Sequence, residues 1–337
     1  MTERSALANT QNPAVLLLNA RGDYLLNLPT LRALSHVFGD RLTVICWPGM
    51  RQTFFSKLPL GKLCEPRIHY DDGHIFEPDA IVAEVGPVDL LLSLNPWHSH
   101  RVDRLLERMA PQWSIGYHNS FDHQIETSPG QHNVDYNFAV PRTVDDTLRV
   151  EDFSRPPDLL EGPAHIAEYM RSAIPGGHRV LAVHAETKPP KMWNPERFSA
   201  VLTSVLDEHP DLVVLDFGLG DSGLNYGRHA DRVVPCRSLS LAGAMALLGT
   251  ADLFIGVDSC FLHAADLFGI PGVGLFGPSR PDEFGFRFAP HRHVCGDGAT
   301  DSITVGAVVD AFESLVTEQW PSRPRRQGRS PARGSRR

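Results

Sequence analysis

Leu253-Phe254-Ile255-Gly256-Val257-Asp258-Ser259-Cys260-Phe261-Leu262-His263-Ala264-Ala265-Asp266-Leu267-Phe268-Gly269-Ile270-Pro271, continuing into Val273-Gly274-Leu275-Phe276-Gly277-Pro278, reads as strand, tight turn, helix and strand. The apolar run before Gly256 has strand length, whereas Phe261, Ala265 and Phe268 recur at i, i+4 and i+7, so the period changes near Asp258. A helix opening there leaves its first N–H groups unpaired at the carboxyl end of a strand, where an anion such as phosphate binds favourably. Asp258 and Ser259 are also ordinary capping residues, and a cap alone satisfies the same pattern.

The same rhythm recurs outward from this stretch. Val15 to Leu18 is a continuous apolar run of the kind a buried parallel strand shows, followed by Arg21-Gly22-Asp23 and then Leu28, Leu31, Leu34, Val37 and Phe38 at helical spacing. Pro29 suits the first turn of that helix, where its missing N–H costs nothing. Asp23 then sits at a strand-to-helix junction, pointing into the crevice. Further strands are expected at 42–46, 89–94, 114–117, 179–184 and 212–217, with helices at 198–206, 239–248 and 305–316. Residues 97–100 and 118–132 read as loops at a cleft edge.

With 337 residues, 42% hydrophobic and 21% charged, the chain suits two medium domains. The expected division is a flexible start at 1–13, an N-terminal domain at 14–150, a Pro/Asp/Gly-rich connection at 151–177, a C-terminal domain at 178–320 and an Arg-rich tail at 321–337. No apolar run reaches the roughly 18–20 residues of a membrane span, and residues 1–12 lack the apolar core of a signal peptide, so a cytoplasmic protein is expected. The five cysteines are scattered and signal neither a disulfide framework nor a zinc site. Seven arginines and no acid fill residues 322–337, so the net charge of −8 leaves the body near −15. Such a tail can touch anionic lipid, at most a peripheral membrane contact, and no second basic cluster supports nucleic-acid binding. Histidines 98, 100, 118, 123 and 132 lack the i, i+4 spacing with Glu of a helical zinc site, and no metal is expected.

The two junctions, with a third element at Lys188-Pro189-Pro190-Lys191-Met192-Trp193-Asn194-Pro195-Glu196-Arg197-Phe198, resemble the heptosyltransferase family, glycosyltransferase family 9. Gly256, Asp258, Ser259, His263, Ala264, Ala265 and the Leu275-Phe276-Gly277-Pro278 run match its nucleotide-sugar signature, and Gly22-Asp23 with Leu28-Pro29 matches its amino-terminal element. Cys260 departs from it, standing where the family usually has Gly. The resemblance implies an α/β, GT-B-like enzyme of two Rossmann-like domains facing a deep cleft, which transfers a sugar with inversion. The donor would be an ADP-sugar, with heptose the expected sugar, and no cofactor would be required.

It also implies Asp23 as general base, Lys191 on the diphosphate, and Thr187, Asp258, Ser259, His263 and Gly277 around the donor. Lys188 could substitute for Lys191, and Asp221, in a Gly-rich turn after a strand, could meet the ribose. Arg21, Trp97, His98 and Arg101 are the candidate acceptor contacts. The acceptor is either a small soluble metabolite or a glycolipid such as the lipopolysaccharide core. Residues 1–140 hold eleven Lys/Arg against fifteen Asp/Glu, a net of −4, which favours a neutral or cationic acceptor, although Arg101, Arg104 and Arg108 form one basic stripe. An epimerase of the same architecture, or a noncatalytic nucleotide-sugar binder, would carry the same donor motifs.

Overall fold

The computed structural model describes residues 3–69, 75–220 and 222–320. Fourteen strands are present among them: β1 (Pro13–Leu17), β2 (Thr43–Cys46), β3 (Lys62–Cys64), β4 (Ile68–His69), β5 (Ile75–Phe76), β6 (Leu90–Ser93), β7 (Trp113–Gly116), β8 (His123–Gln124), β9 (Arg179–His184), β10 (Leu212–Gly218), β11 (Val233–Arg237), β12 (Leu253–Val257), β13 (Gly272–Phe276) and β14 (His291–Cys295). They form two six-stranded sheets, β3-β2-β1-β6-β7-β8 and β11-β10-β9-β12-β13-β14, with β4 and β5 paired separately. Every pairing in the two large sheets is parallel. The expected α/β architecture of two Rossmann-like domains is therefore what the chain adopts.

In each sheet the order reverses beside the first strand of its domain, between β1 and β6 and between β9 and β12. Ligands of open parallel sheets bind outside the carboxyl ends of the strands at such a switch point. Asp23 follows β1, Thr187 and Lys191 follow β9, and Asp258 follows β12, so all four lie at the two switch points.

The strands are built to be covered on both faces. In β9, Val180 and Ala182 join one apolar cluster, while Leu181 and Val183 join the other with Phe198, Leu202, Phe312 and Leu315 from the Pro195–Glu208 and Val305–Gln319 helices. The first cluster runs from Leu16, Leu25 and Leu28 in the N-terminal domain to Phe254, Leu262 and Met245 in the C-terminal one. Apolar packing therefore continues from one domain into the other beneath the cleft.

One expectation needs correcting. Pro29 lies inside the Arg21–Phe38 helix, which begins directly at Arg21. The helix starts early because Asp23 secures its first turn: its carboxylate accepts from Ala20 N at 3.0 Å, and Asp23 N donates to Ala20 O at 3.0 Å. Pro29 then lacks the N–H that would reach back one turn. Pro281–Phe284 adds a short helix beyond β13.

Residues 151–177 contain two differently held parts. Arg32, buried in the first domain, donates to the carbonyls of Phe153, Arg155 and Pro156, and Asp158 N donates to Phe54 O at 3.1 Å. The Glu161–Ser172 helix packs instead on Leu241–Leu248 of the second domain.

Candidate active site

A cleft of about 610 Å³ lies between the domains, lined by Arg21, Gly22, Gly49 and Thr53 from one side and by His184, Glu186, Thr187, Ser259, Cys260 and Phe261 from the other. Its floor is the close approach of two helices. A Cβ on Gly22 would stand 3.4 Å from the His263 ring and 3.8 Å from Cys260 Cα, ordinary contact distances that place the Arg21–Phe38 helix directly against the Cys260–Phe268 helix.

Ser259 occupies the N-cap position of the Cys260–Phe268 helix in extended conformation, yet its side chain makes no capping bond. Its Oγ is buried without a hydrogen-bond partner. The helix end therefore keeps an unpartnered hydroxyl at the cleft wall and first amides that Ser259 does not cap, a ready arrangement for an anion.

Asp258 does not cap this helix either. Its buried carboxylate takes Lys191 Nζ at 2.5 Å on Oδ2, with His263 Nε2 3.8 Å from Oδ1. Thr187 Oγ1 donates to Asp258 O at 3.0 Å, tying the loop after β9 to the loop after β12. Burial pushes His263 down to about 4, against the pull of Asp258, so its ring is neutral at physiological pH. Its Nδ1 has no hydrogen-bond partner, and this neutral imidazole can still exchange a hydrogen bond with a guest.

Asp23 stands across from this group and is half-buried. Burial raises its carboxyl above the ordinary value and Asp258 adds to the rise, opposed by the Ala20 amide, Lys188 and Lys191. A carboxylate so raised is a stronger base than an exposed one. Asp23 therefore caps its own helix with one oxygen and shares an electrostatic field with Lys191 and Asp258.

Residues not singled out in the sequence complete the far end of the cleft. Glu186 accepts from Leu219 N at 2.9 Å and from Arg237 Nη1 at 2.8 Å. Arg237 also reaches Asp216 Oδ2 at 2.6 Å, and burial nonetheless leaves the Asp216 carboxyl raised. His184 lies against Phe261 with ring centroids 4.3 Å apart, donates from Nδ1 to Phe217 O at 3.1 Å, and is pushed by burial to about 4. Leu239, Leu241 and Ala244 add an apolar wall. The signal for Glu186 was its place two residues after His184 at the end of a strand; nothing local marked Arg237.

The remaining sequence candidates are placed differently. Gly277 is explained without a ligand, because a Cβ there would stand 2.6 Å from Thr300 N. Asp221 lies outside the described residues. Arg21 lines the cleft, whereas Trp97, 47% exposed, and His98 and Arg101 lie in or beside the loop after β6. His98 pairs with Asp103 at 2.8 Å. The basic stripe is engaged within its own domain: Arg101 donates to Phe76 O and pairs with Glu77, while Arg104 and Arg108 hold Asp79 at 2.7 and 2.6 Å.

Two Rossmann-like domains facing a cleft, with Asp23 on one side and Lys191 beside an uncapped helix end on the other, are the architecture of a GT-B-like glycosyltransferase. The family model for glycosyltransferase family 9 (heptosyltransferase) matches residues 105–303, more than half of the chain, and the chain belongs to that family. Lipopolysaccharide heptosyltransferase 1 of Pseudomonas aeruginosa is 29% identical over 133 residues, covering 39% of this chain and 37% of that protein. The matched segment thus spans little more than a third of that relative's length. Among solved structures, a family 9 glycosyltransferase from Veillonella parvula superposes with a TM-score of 0.71 at 19% identity, over 91% of this chain and 97% of its own. The E. coli ADP-heptose LPS heptosyltransferase II gives 0.66 at 15% identity, over 91% and 99%. At these identities the two structures speak for the fold. No helix among the described residues is long and apolar enough to cross a membrane.

Proposed function

We propose that this glycosyltransferase moves a heptose from ADP-heptose to a small neutral or cationic acceptor, with inversion at the anomeric carbon. The observation that carries the reading is the pairing of an open anion site, made by Lys191, Ser259 Oγ and the free helix end, with the raised carboxylate of Asp23 in the facing domain. In this reading the acceptor oxygen attacks the anomeric carbon as its proton passes to Asp23. The bond to the diphosphate oxygen breaks on the opposite face, and the electron pair leaves with ADP.

Charge developing on that oxygen meets Lys191, the Ser259 hydroxyl and the amides that open the Cys260–Phe268 helix, stabilisation aimed at the transition state. Asp258 keeps the Lys191 ammonium positioned while leaving two of its three N–H groups for phosphate. A lysine and a helix end supply the positive charge that a divalent cation would otherwise bring, so no cofactor enters this reaction scheme. Glu186, fixed by Arg237, is suited to accept from ribose hydroxyls, and the Leu239, Leu241 and Ala244 wall to the adenine. Use of a nucleotide sugar agrees with a cytoplasmic site of action.

For the acceptor, the three arginines of the stripe, Arg101, Arg104 and Arg108, are each paired with Glu77 or Asp79, which leaves a small net positive charge for the phosphates of a lipopolysaccharide core. The name of the Pseudomonas relative supports the glycolipid alternative. Incubation of the full chain with ADP-heptose and either aminocyclitol- and nucleoside-type acceptors or a phosphorylated core tests both. Acceptor-dependent ADP release, with the product anomer inverted by NMR, is expected with the soluble set. Transfer only to the core would overturn the acceptor class. Isomerised donor without acceptor, or consumption of UDP-sugars instead, would overturn the reaction.

A further inference from the structure

At the carboxyl ends of β6 and β7, the two strands following β1 in the first sheet, the fold gathers three imidazoles and a carboxylate that the reaction scheme does not use. One ligand atom each from His98, His100 and Asp103 lie within 4.8 Å of one another. His98 Nε2 is 2.8 Å and His100 Nδ1 3.9 Å from the same Asp103 oxygen. The convergence follows from local structure: Ser99 caps the His100–Met109 helix, so Asp103 returns to the His100 side one turn later and His98 enters from the cap. The His98 ring also meets His118 edge-on, with centroids 5.5 Å apart, and His118 Nε2 is buried with no hydrogen-bond partner.

We propose that His98, His100 and Asp103 bind one divalent first-row transition metal ion of the zinc class, leaving a fourth position for water, for a polar group of the acceptor or for a turned His118. Two imidazoles and one carboxylate select such borderline ions over magnesium or calcium, which prefer all-oxygen shells. Tetrahedral zinc with bonds of about 2.0–2.1 Å holds its ligand atoms roughly 3.4 Å apart. The present spread of 4.8 Å closes by rotation of His100, whose side chain is 96% exposed and has nothing to displace.

The site belongs to the acceptor side. Leu18 N donates to Asn95 Oδ1 at 3.3 Å and Asn19 Nδ2 to Leu94 O at 2.7 Å, so the loop leading to His98 is bonded to the segment leading to Asp23. A metal there braces the loop after β6, which is bonded to the segment leading to Asp23, while the proposed diphosphate site keeps Lys191. Plain surface ion pairs of His98 and His100 with Asp103 are the competing explanation, and they call for no stoichiometric metal. The absence of a helical i, i+4 pair in the sequence concealed the cluster, because its ligands are the residue before the cap and two residues of the first helical turn at i, i+3.

The test uses the full chain without an affinity tag, stripped with a chelator. Zn²⁺ is titrated by calorimetry and Co²⁺ by visible absorption, for the wild type, the His98→Ala/His100→Ala double variant, Asp103→Asn and the exposed control His165→Ala, each checked for folding by circular dichroism. One equivalent bound by the wild type and by the His165 variant, weakened at least tenfold in both the double variant and Asp103→Asn, is expected. No stoichiometric binding to the wild type, or double-variant binding equal to wild type, would overturn the site.

Discussion

The two strand-to-helix junctions that face each other across the cleft look alike in sequence and are used differently. After β1, Asp23 turns back and closes its own helix through the Ala20 amide. After β12, neither Asp258 nor Ser259 closes the Cys260–Phe268 helix: Asp258 is taken by Lys191, and Ser259 Oγ has no partner. A satisfied helix end has no further demand for negative charge, whereas an open one beside an ammonium has a strong demand. The proposed reaction uses this contrast: it gives the leaving diphosphate to the open end in the C-terminal domain and proton removal to Asp23 in the N-terminal one.

The contrast breaks most visibly at Asp23. Asp23→Asn should lower turnover by about 10²–10⁴-fold, the ordinary contribution of a positioned base, with ADP affinity unchanged by calorimetry. The same variant should unfold at an equal or higher temperature. Burial raises the Asp23 carboxyl in the folded state, so its ionised form costs stability at neutral pH, a cost that fades as pH falls toward the carboxyl range. Asn removes that charge while keeping an oxygen for the Ala20 amide. A marked drop in melting temperature would make Asp23 a structural cap only.

Lys191→Ala should weaken ADP by about 10–100-fold, since hydrogen bonds to charged groups contribute about 1.5–3 kcal/mol. Unchanged affinity would move the diphosphate elsewhere. The pH profile gives a graded test: turnover at saturating donor should fall on acidification through a transition above the ordinary aspartate value of about 3.9, because protonated Asp23 cannot accept the acceptor proton. A transition at or below that value would place Asp23 in an exposed setting. Smallest is Ser259→Ala, expected to weaken ADP by about 2–10-fold, one neutral hydrogen bond, and to leave thermal stability unchanged because no cap is lost. Loss of stability without loss of affinity would reverse the contrast between the junctions.

How much of this was legible in the chain follows from where the signals lie. The buried strands β1, β6, β9 and β12 announce themselves as short apolar runs because both their faces are covered. The edge strands β3, β8 and β14, as in Lys62–Cys64, His123–Gln124 and His291–Cys295, carry polar or half-exposed residues and leave no such mark. The Arg21–Phe38 helix was placed too late because Pro29 was given the role of starting it, which Asp23 performs. Asp23, Thr187, Lys191, Asp258, Ser259 and His263 were expected from short motifs that follow the strands β1, β9 and β12, and the structure brings them to one cleft region. The Glu186, Arg237 and Asp216 network was not, because its members are joined by register: Gly218 opposes Arg237 in β10 and β11, and Phe217 opposes His184 in β10 and β9. Pairing across a sheet has no trace in local spacing.

Calorimetric titration of ADP and UDP into the wild type, Lys191→Ala and Asp23→Asn, under one set of conditions, tests the division of labour most directly. The expected result is preference for ADP, weakened at least tenfold by the lysine change and untouched by the aspartate change. Equal binding of UDP, or an ADP affinity that depends on Asp23 and not on Lys191, would contradict it.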